Sequence, residues 1–554
     1  MSVVPLEQAL HLANQHHRAG RLADAEKIYR RVIEKVPNEP QALEALGALA
    51  VSTGRHKEAL DWMQRALLVM RGNERLFNNY GMALRGLGRD QDALAAFNQA
   101  LLINPRAATT LMNVGALLIQ HQRTDEGLAM LRQAVAVAGN NPEPYNGLAN
   151  ALGQLRRIEE AESAYRAALR ISPNNARLLF NLANLYLRAD KVEQAEETYR
   201  AAIAADPNYF DPYHNLGHAY TELGMHARAA ACFRRGVQLR PNDFNPHMSL
   251  GMSLMAQGQF REGWVEYQWR LKDHAQLPPR DFTQPRWNGQ LLNGRTLLLC
   301  SEQGAGDTLM FMRYLPMLKE RGAKVIIECL PALKRLFENQ PGDMPVYVKG
   351  EVLPRFDFYI APIDLPLIFG TTLETIPAEV PYLAAPSVAQ LPSIALPEGR
   401  NRKIGVVWNG NPVQRHNYLR SIPLAAMAPL FEVPGCDFYS LQYGATQAEL
   451  DQAGVADRLI LLGDERIEDF WGLAGLMKQM DLVISVCTGP THLAGALGVR
   501  SWTLLRFAAE WRWLWNRDDS PWYPTMRLFR QKRRGDWAEL IARVAQTLRE
   551  DTAG

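Results

Sequence analysis

Neither charge is in excess in this chain. Lys and Arg total 61 against 58 Asp and Glu, a formal net charge of +3 over 554 residues. That balance supplies no strong positive field, so neither nucleic acid nor an anionic membrane surface is expected as a partner. Cysteine is scarce. Cys232, Cys300, Cys329, Cys436 and Cys487 form no Cys-x-x-Cys pair and fit reduced thiols in a cytoplasmic protein. The opening stretch MSVVPLEQALHLANQHHRAG lacks a basic region ahead of an apolar core, and it has no cleavage site, so no secretory signal is expected. The run Leu482–Val499 is uncharged and by length alone could span a membrane. Yet Thr-Gly-Pro-Thr-His stands at its middle, where a membrane helix has no reason to break. A strand–turn–helix is expected there, and no membrane span. At this length one core does not suffice, and 47% hydrophobic residues suit two or more globular domains.

What is present first is a period. Gly20, Gly54 and Gly88 are spaced by 34, and the same step reaches Gln122, Arg156, Asp190, Gly224 and Gly258. Five residues after each stands a small residue (Ala25, Ala59, Ala93, Gly127, Ala161, Ala195, Ala229, Gly263). Nine after stands a large apolar one (Tyr29, Met63, Phe97, Leu131, Tyr165, Tyr199, Phe233, Tyr267). Small residues mark close helix crossings, large ones fill the gap, and prolines such as Pro37, Pro105 and Pro173 stop the second helix of a unit. The pattern resembles the tetratricopeptide repeat, in eight copies over about Leu6 to Lys272. Such an α-solenoid presents a groove that suits polypeptide. Asn79, Asn113, Asn181 and Asn215 recur at one repeat position, two residues before the small residue of the first helix; Asn146 is off register by one. An asparagine row either grips an extended backbone through its amides or serves helix packing. It resembles the asparagine ladder of O-linked N-acetylglucosamine transferase, which implies a protein acceptor held in the groove.

After residue 275 the rhythm changes. RTLLLC, AKVIIEC, RKIGVVWNG, CDFYSLQYG, DLVISV and SWTLL read as buried strands between helical stretches, so two doubly wound α/β halves with parallel sheets are expected. Ligands of such sheets bind beyond the carboxyl ends of the strands. Three stretches follow strands. In EQGAGDTLMF, Gln303, Gly304 and Gly306 form a glycine turn, and Asp307 is either a helix cap or a general base. In WNGNPVQRHNYLRSIP, Asn409, Asn411, Arg415, His416 and Arg420 form a basic loop, either solvated or meeting phosphate and sugar. In SVCTGPTHLAGALG, Pro490 starts a helix at a Thr488–Gly489 cap. The N–H groups of Gly489, Thr491 and His492 there could meet an anion, or the turn simply packs. Trp511, Trp513, Trp515 and Trp522, with Glu510, Arg512 and Arg517 among them, read chiefly as core between domains.

GAGDTLMFMRYLPMLKERGAKVIIE and DLVISVCTGPTHLAGALGV together resemble the ADP-heptose:lipopolysaccharide heptosyltransferase family over about Arg295 to Val544. The resemblance implies a metal-independent GT-B glycosyltransferase that needs no cofactor, its nucleotide-sugar being a co-substrate. It implies Asp307 as general base. It implies Thr488, Gly489, Pro490, Thr491 and His492 as the donor-diphosphate loop, Arg420 as the phosphate contact, and Gln442 near the ribose. Cys487 stands where the family has Asp, so heptose is not implied as the sugar. The domains are then residues 1–275, the repeat array; 276–397, the acceptor-side Rossmann-like half; and 398–554, the donor-binding half. The combination resembles repeat-containing bacterial protein glycosyltransferases, including those acting on flagellin. The expected function is transfer of a sugar from a nucleotide-sugar to a protein hydroxyl. A glycolipid transferase whose repeats recruit partners, or a non-catalytic repeat scaffold, stands as the alternative.

Overall fold

The computed structural model describes residues 5–70, 72–302, 304–342, 344–396, 400–413 and 417–553. Its packing divides into two compact units, Met1–Pro212 and Tyr213–Gly554.

The first unit is a helical array running from Leu6–Arg18 to Val192–Ala205, and a further helix, Phe210–Glu222, starts at its end. The 34-residue step marks one backbone event. Gly20, Gly54 and Gly88 turn the corner between paired helices at φ of +73°, +75° and +73°, and Gln122, Arg156 and Asp190 do the same at +62°, +58° and +56°. Each corner closes as a Schellman turn: Arg55 N–H donates to Ala50 O at 2.8 Å, and Arg123 N–H to Leu118 O at 2.9 Å. Glycine takes this left-handed geometry without strain, whereas the other three residues hold it at a cost. The large residues have a small partner in the first helix of their own unit, two residues after the recurring asparagine. A Cβ on Gly81 would lie 2.6 Å from Phe97, and one on Gly115 2.7 Å from Leu131, so the small position exists to admit the large one.

The second unit opens with the last two repeats, ending at Phe260–Tyr267 and a short 3-10 turn to Lys272. The array therefore ends where the period does, but the packing does not divide at residue 275. Met255, Phe260, Trp264 and Tyr267 belong to one hydrophobic core with Phe311, Tyr314, Trp511 and Trp522. Trp264 meets Trp511 at 5.1 Å between ring centroids, and Phe260 meets Trp522 at 5.7 Å. A terminal repeat usually shows a polar outer face; this one is apolar, so it is built into the α/β body. The segment after it is pinned by Phe282, edge-on to Phe356 and Tyr359, and by the buried Trp287.

Two all-parallel sheets follow. The first comprises β1 (Thr296–Cys300), β2 (Lys324–Cys329), β3 (Val346–Val348) and β4 (Phe358–Ile360), in the order β3-β2-β1-β4. The second comprises β5 (Arg402–Val407), β6 (Cys436–Ser440), β7 (Leu459–Leu461), β8 (Leu482–Val486), β9 (Ser501–Leu505) and β10 (Met526–Arg530), in the order β10-β9-β8-β5-β6-β7. The expected boundary at 397–398 falls outside the described residues. The uncharged run Leu482–Val499 is β8 and the helix Gly489–Ala496, and among the described residues no helix is long and apolar enough to cross a membrane.

Candidate functional site

In each sheet the chain leaves one strand in one direction and a neighbour in the other, which opens a crevice at their carboxyl ends. β1 pairs with both β2 and β4, and β5 pairs with β6 on one side and β8 on the other. The three singled-out stretches follow β1, β5 and β8. β1 leads into the helix Ala305–Phe311, and β8 leads through Cys487 and the N-cap Thr488 into Gly489–Ala496. These two helix starts meet. A Cβ on Gly306 would lie 2.7 Å from His492 Cδ2, and one on Gly489 3.8 Å from Ala305 Cβ. Gly306 is thus glycine because His492 occupies the space beside it.

One cavity of about 970 Å³ collects most of the expected residues: Gly304, Gly306, Asp307, Asn411, Arg420, Thr488, Gly489, Pro490 and His492. Helices of the last two repeats line it too, through His218, Phe233, Met248 and Met252. Gln303, Arg415 and His416 lie outside the described residues. Three expected residues are not at the cavity wall. Thr491 is buried, its hydroxyl donating to Val486 O (2.7 Å) with Ser485 Oγ 2.9 Å away. Its N–H is not open to an anion either, because it donates to Thr488 O at 3.1 Å. Asn409 and Gln442 brace one another: Asn409 N–H donates to Gln442 Oε1 at 2.9 Å, while Asn409 Oδ1 accepts from Asn417 (2.8 Å) and Ser421 (2.6 Å). They shape the loop that presents Arg420, whose Nε donates to Asn417 Oδ1 at 3.2 Å.

The electrostatics are set by burial. His492 Nδ1 faces the Tyr523 hydroxyl at 2.9 Å, and its ring stacks on Trp513 with centroids 5.2 Å apart. Burial, with Arg512, Arg313 and Arg420 nearby, holds this imidazole well below its ordinary pKa, so it stays neutral. Cys487 accepts a hydrogen bond from Trp513 Nε1 at 3.0 Å, and burial pushes its thiol up to about 12. Cys487 thus places a neutral thiol at the head of the turn. Burial also raises the Asp307 carboxyl, against the pull of Arg512, which donates Nη2 to Asp307 Oδ1. Arg512 is the residue that sequence reading placed in an aromatic core and did not assign to the site. It is buried, lines the cavity, and gives its other nitrogen to Glu510 at 2.9 Å. An arginine inside an apolar aromatic run needs a buried counter-charge, which was the available signal. Among the described residues no three His, Cys, Asp or Glu side chains gather as metal ligands.

The asparagine row divides between the units. In the first, Asn113 Nδ2 donates to Asn78 Oδ1 at 2.8 Å and Asn181 Nδ2 donates to Asn146 Oδ1 at 2.9 Å, each linking successive repeats. Asn79 accepts only a long 3.5 Å contact from Asn78. Asn113 and Asn181 are thus each engaged with the preceding repeat, and the side chains of Asn79, Asn113 and Asn181 are half-buried. Asn215 lies in the second unit and does not line the cavity.

Family models of the tetratricopeptide repeat match residues 10–73 and 79–142, residues 152–219, and residues 210–243. Among curated proteins, the chain is similar to Protein FlbA of Caulobacter vibrioides, 29% identical over 329 residues. That match covers 54% of this chain and 54% of FlbA, so the chain spans about half the length of the curated relative it matches. Two solved structures are similar to part of the chain. A thermophilic tetratricopeptide repeat protein of Thermus thermophilus is 24% identical, with a TM-score of 0.31, over 33% of this chain and 100% of its own. A tetratricopeptide repeat protein of Parabacteroides merdae is 21% identical, with a TM-score of 0.37, over 45% of this chain and 98% of its own.

Proposed function

We propose that this chain is a glycosyltransferase whose second unit moves a sugar from a nucleotide-sugar to a hydroxyl of a polypeptide. The observation that carries the reading is the convergence of Asp307, Arg420 and the Thr488–His492 turn, from three different strand ends, on one cavity. In the proposed step the acceptor oxygen attacks the sugar's anomeric carbon and the bond from that carbon to the leaving phosphate oxygen breaks. The electron pair departs with the nucleotide, and the acceptor proton passes to Asp307. Arg420 and the helix start at Thr488–Gly489 would meet the charge growing on the phosphate. His492, held neutral, would offer a hydrogen bond and add no charge. The repeats, whose folds elsewhere bind polypeptide, would supply the protein acceptor.

A non-catalytic scaffold is the second reading, and one observation favours it: Cys487 leaves a buried thiol where the resembled family has a carboxylate. Thermal shifts with UDP, GDP, ADP, CMP and dTDP separate the two. The enzyme reading expects one nucleotide to stabilise the chain, by about 2.7 kcal/mol at a hundredfold excess over its Kd. It also expects that gain to vanish in Arg420→Ala. Silence across all five sinks it.

A further inference from the structure

Asp307 cannot act as a base merely by lying in the cavity; its carboxylate must be held in one orientation and kept ionised where burial favours the acid. We propose that Arg512 is the positioning residue for Asp307, fixing Oδ1 so that Oδ2 is left to take the acceptor's proton. This rests on the reading of Asp307 as the base of the proposed transfer. Arg512 comes from the segment after β9 and Asp307 from the helix after β1, 205 residues apart in sequence.

Arg512 is itself fixed. Its guanidinium stacks over Trp511 at 4.5 Å, and Glu510 Oε2 accepts from Nη1 at 2.9 Å. With the arginine held on two sides, its contact to Oδ1 determines the rotation of the aspartate. Asp307 Oδ2 has no hydrogen-bond partner among the described residues.

The charged groups around Asp307 act in opposite senses. Burial raises its carboxyl, Arg512 lowers it, Glu510 raises it, and Arg270 lowers it more weakly. Arg270 is already shared between Glu302 and Asp364, at 2.8 Å each, so it contributes little net field. His492, packed against Gly306, is neutral. Arg512 and Glu510 are therefore the two controls on Asp307, and they pull opposite ways.

The test uses the full chain and has two readouts. Without substrate, the melting temperature of each form is compared with that of its Asp307→Asn counterpart as pH rises. Burial raises the folded carboxyl above its ordinary value, against the pull of Arg512. The stability that Asp307 adds over asparagine is thus present at low pH and lost as pH rises through its folded pKa. Arg512→Gln should move the midpoint of that loss up by roughly 1–3 pH units, Glu510→Gln should move it down, and Arg512→Lys should leave it near the parent. With substrate, nucleotide release is followed from whichever UDP-, GDP-, ADP-, CMP- or dTDP-sugar stabilises the chain. The acid limb of kcat should move in the same two directions. Arg512→Lys, which keeps the charge but loses the planar fork, should lower kcat and leave the donor KM little changed. Turnover whose acid limb ignores both substitutions, or follows them in one direction, overturns the positioning role alone. Midpoints that move as expected with no nucleotide released from any of the five overturn the transferase reading, and the positioning role with it.

Discussion

The substitution Gly306→Ala tests the junction of the two helix starts. Its Cβ would lie 2.7 Å from His492 Cδ2 and 3.4 Å from Nε2. The ring cannot swing aside freely, since Tyr523 holds Nδ1 and Trp513 covers a face. Overpacking of this kind costs about 1–3 kcal/mol, and alanine recovers up to about 1 kcal/mol over glycine within a helix. The single variant should lose about 0–3 kcal/mol, so the decisive quantity is the coupling. In a His492→Ala background the clash is gone, and the same Gly306→Ala should stabilise by up to about 1 kcal/mol. The double-mutant cycle then gives a coupling of about 1–3 kcal/mol. Gly304→Ala is the control: nothing lies within 4 Å of its Cβ and its φ is −66°. Unfolding followed by tryptophan fluorescence reports the right unit, because every tryptophan except Trp62 lies in residues 213–554. A Gly306→Ala cost unchanged by alanine at 492 refutes the reasoning.

Three other outcomes are expected. Gln122→Gly and Arg156→Gly, which relieve left-handed backbone, should each stabilise the first unit by about 0.5–1 kcal/mol, and Gly54→Ala should destabilise it by a similar amount, measured by thermal melts in circular dichroism. His492 has a folded pKa well below its ordinary value, so the stability it confers is full above about pH 6.5 and falls as pH drops, by up to about 1.4 kcal/mol per pH unit. His492→Gln should flatten that acid decline in melting temperature; an identical slope in both forms speaks against a buried neutral ring. Cys487→Ala removes the acceptor of the Trp513 indole N–H and should cost about 1–3 kcal/mol in urea unfolding, while Cys487→Ser, which keeps an acceptor, should cost less.

What could be read from the sequence was whatever repeats or alternates. The 34-residue step and the small-to-large pairs follow from local backbone and steric needs, so Leu6 to Lys272 emerged with its helices in place. Continuous apolar strands likewise announced parallel sheets, and the Thr488–Pro490 helix start was legible from proline's missing N–H. The rest depended on contacts between distant residues. Arg512 looked like a charged residue among tryptophans until Asp307 was found beside it. Asn409 and Gln442 looked like ligands because polar loop residues after a strand serve either to bind or to brace, and composition does not tell the two apart. Asn113 and Asn181 recurred at the repeat spacing because each donates to the asparagine one residue before that position in the preceding repeat, Asn78 and Asn146.

The apolar outer face of the last repeat decides how this protein can be taken apart. A cut at residue 275, where the period stops, would strip Met255, Phe260, Trp264 and Tyr267 from their partners and leave Phe311, Trp511 and Trp522 facing water. Any fragment meant to retain the α/β body must carry the seventh and eighth repeats with it.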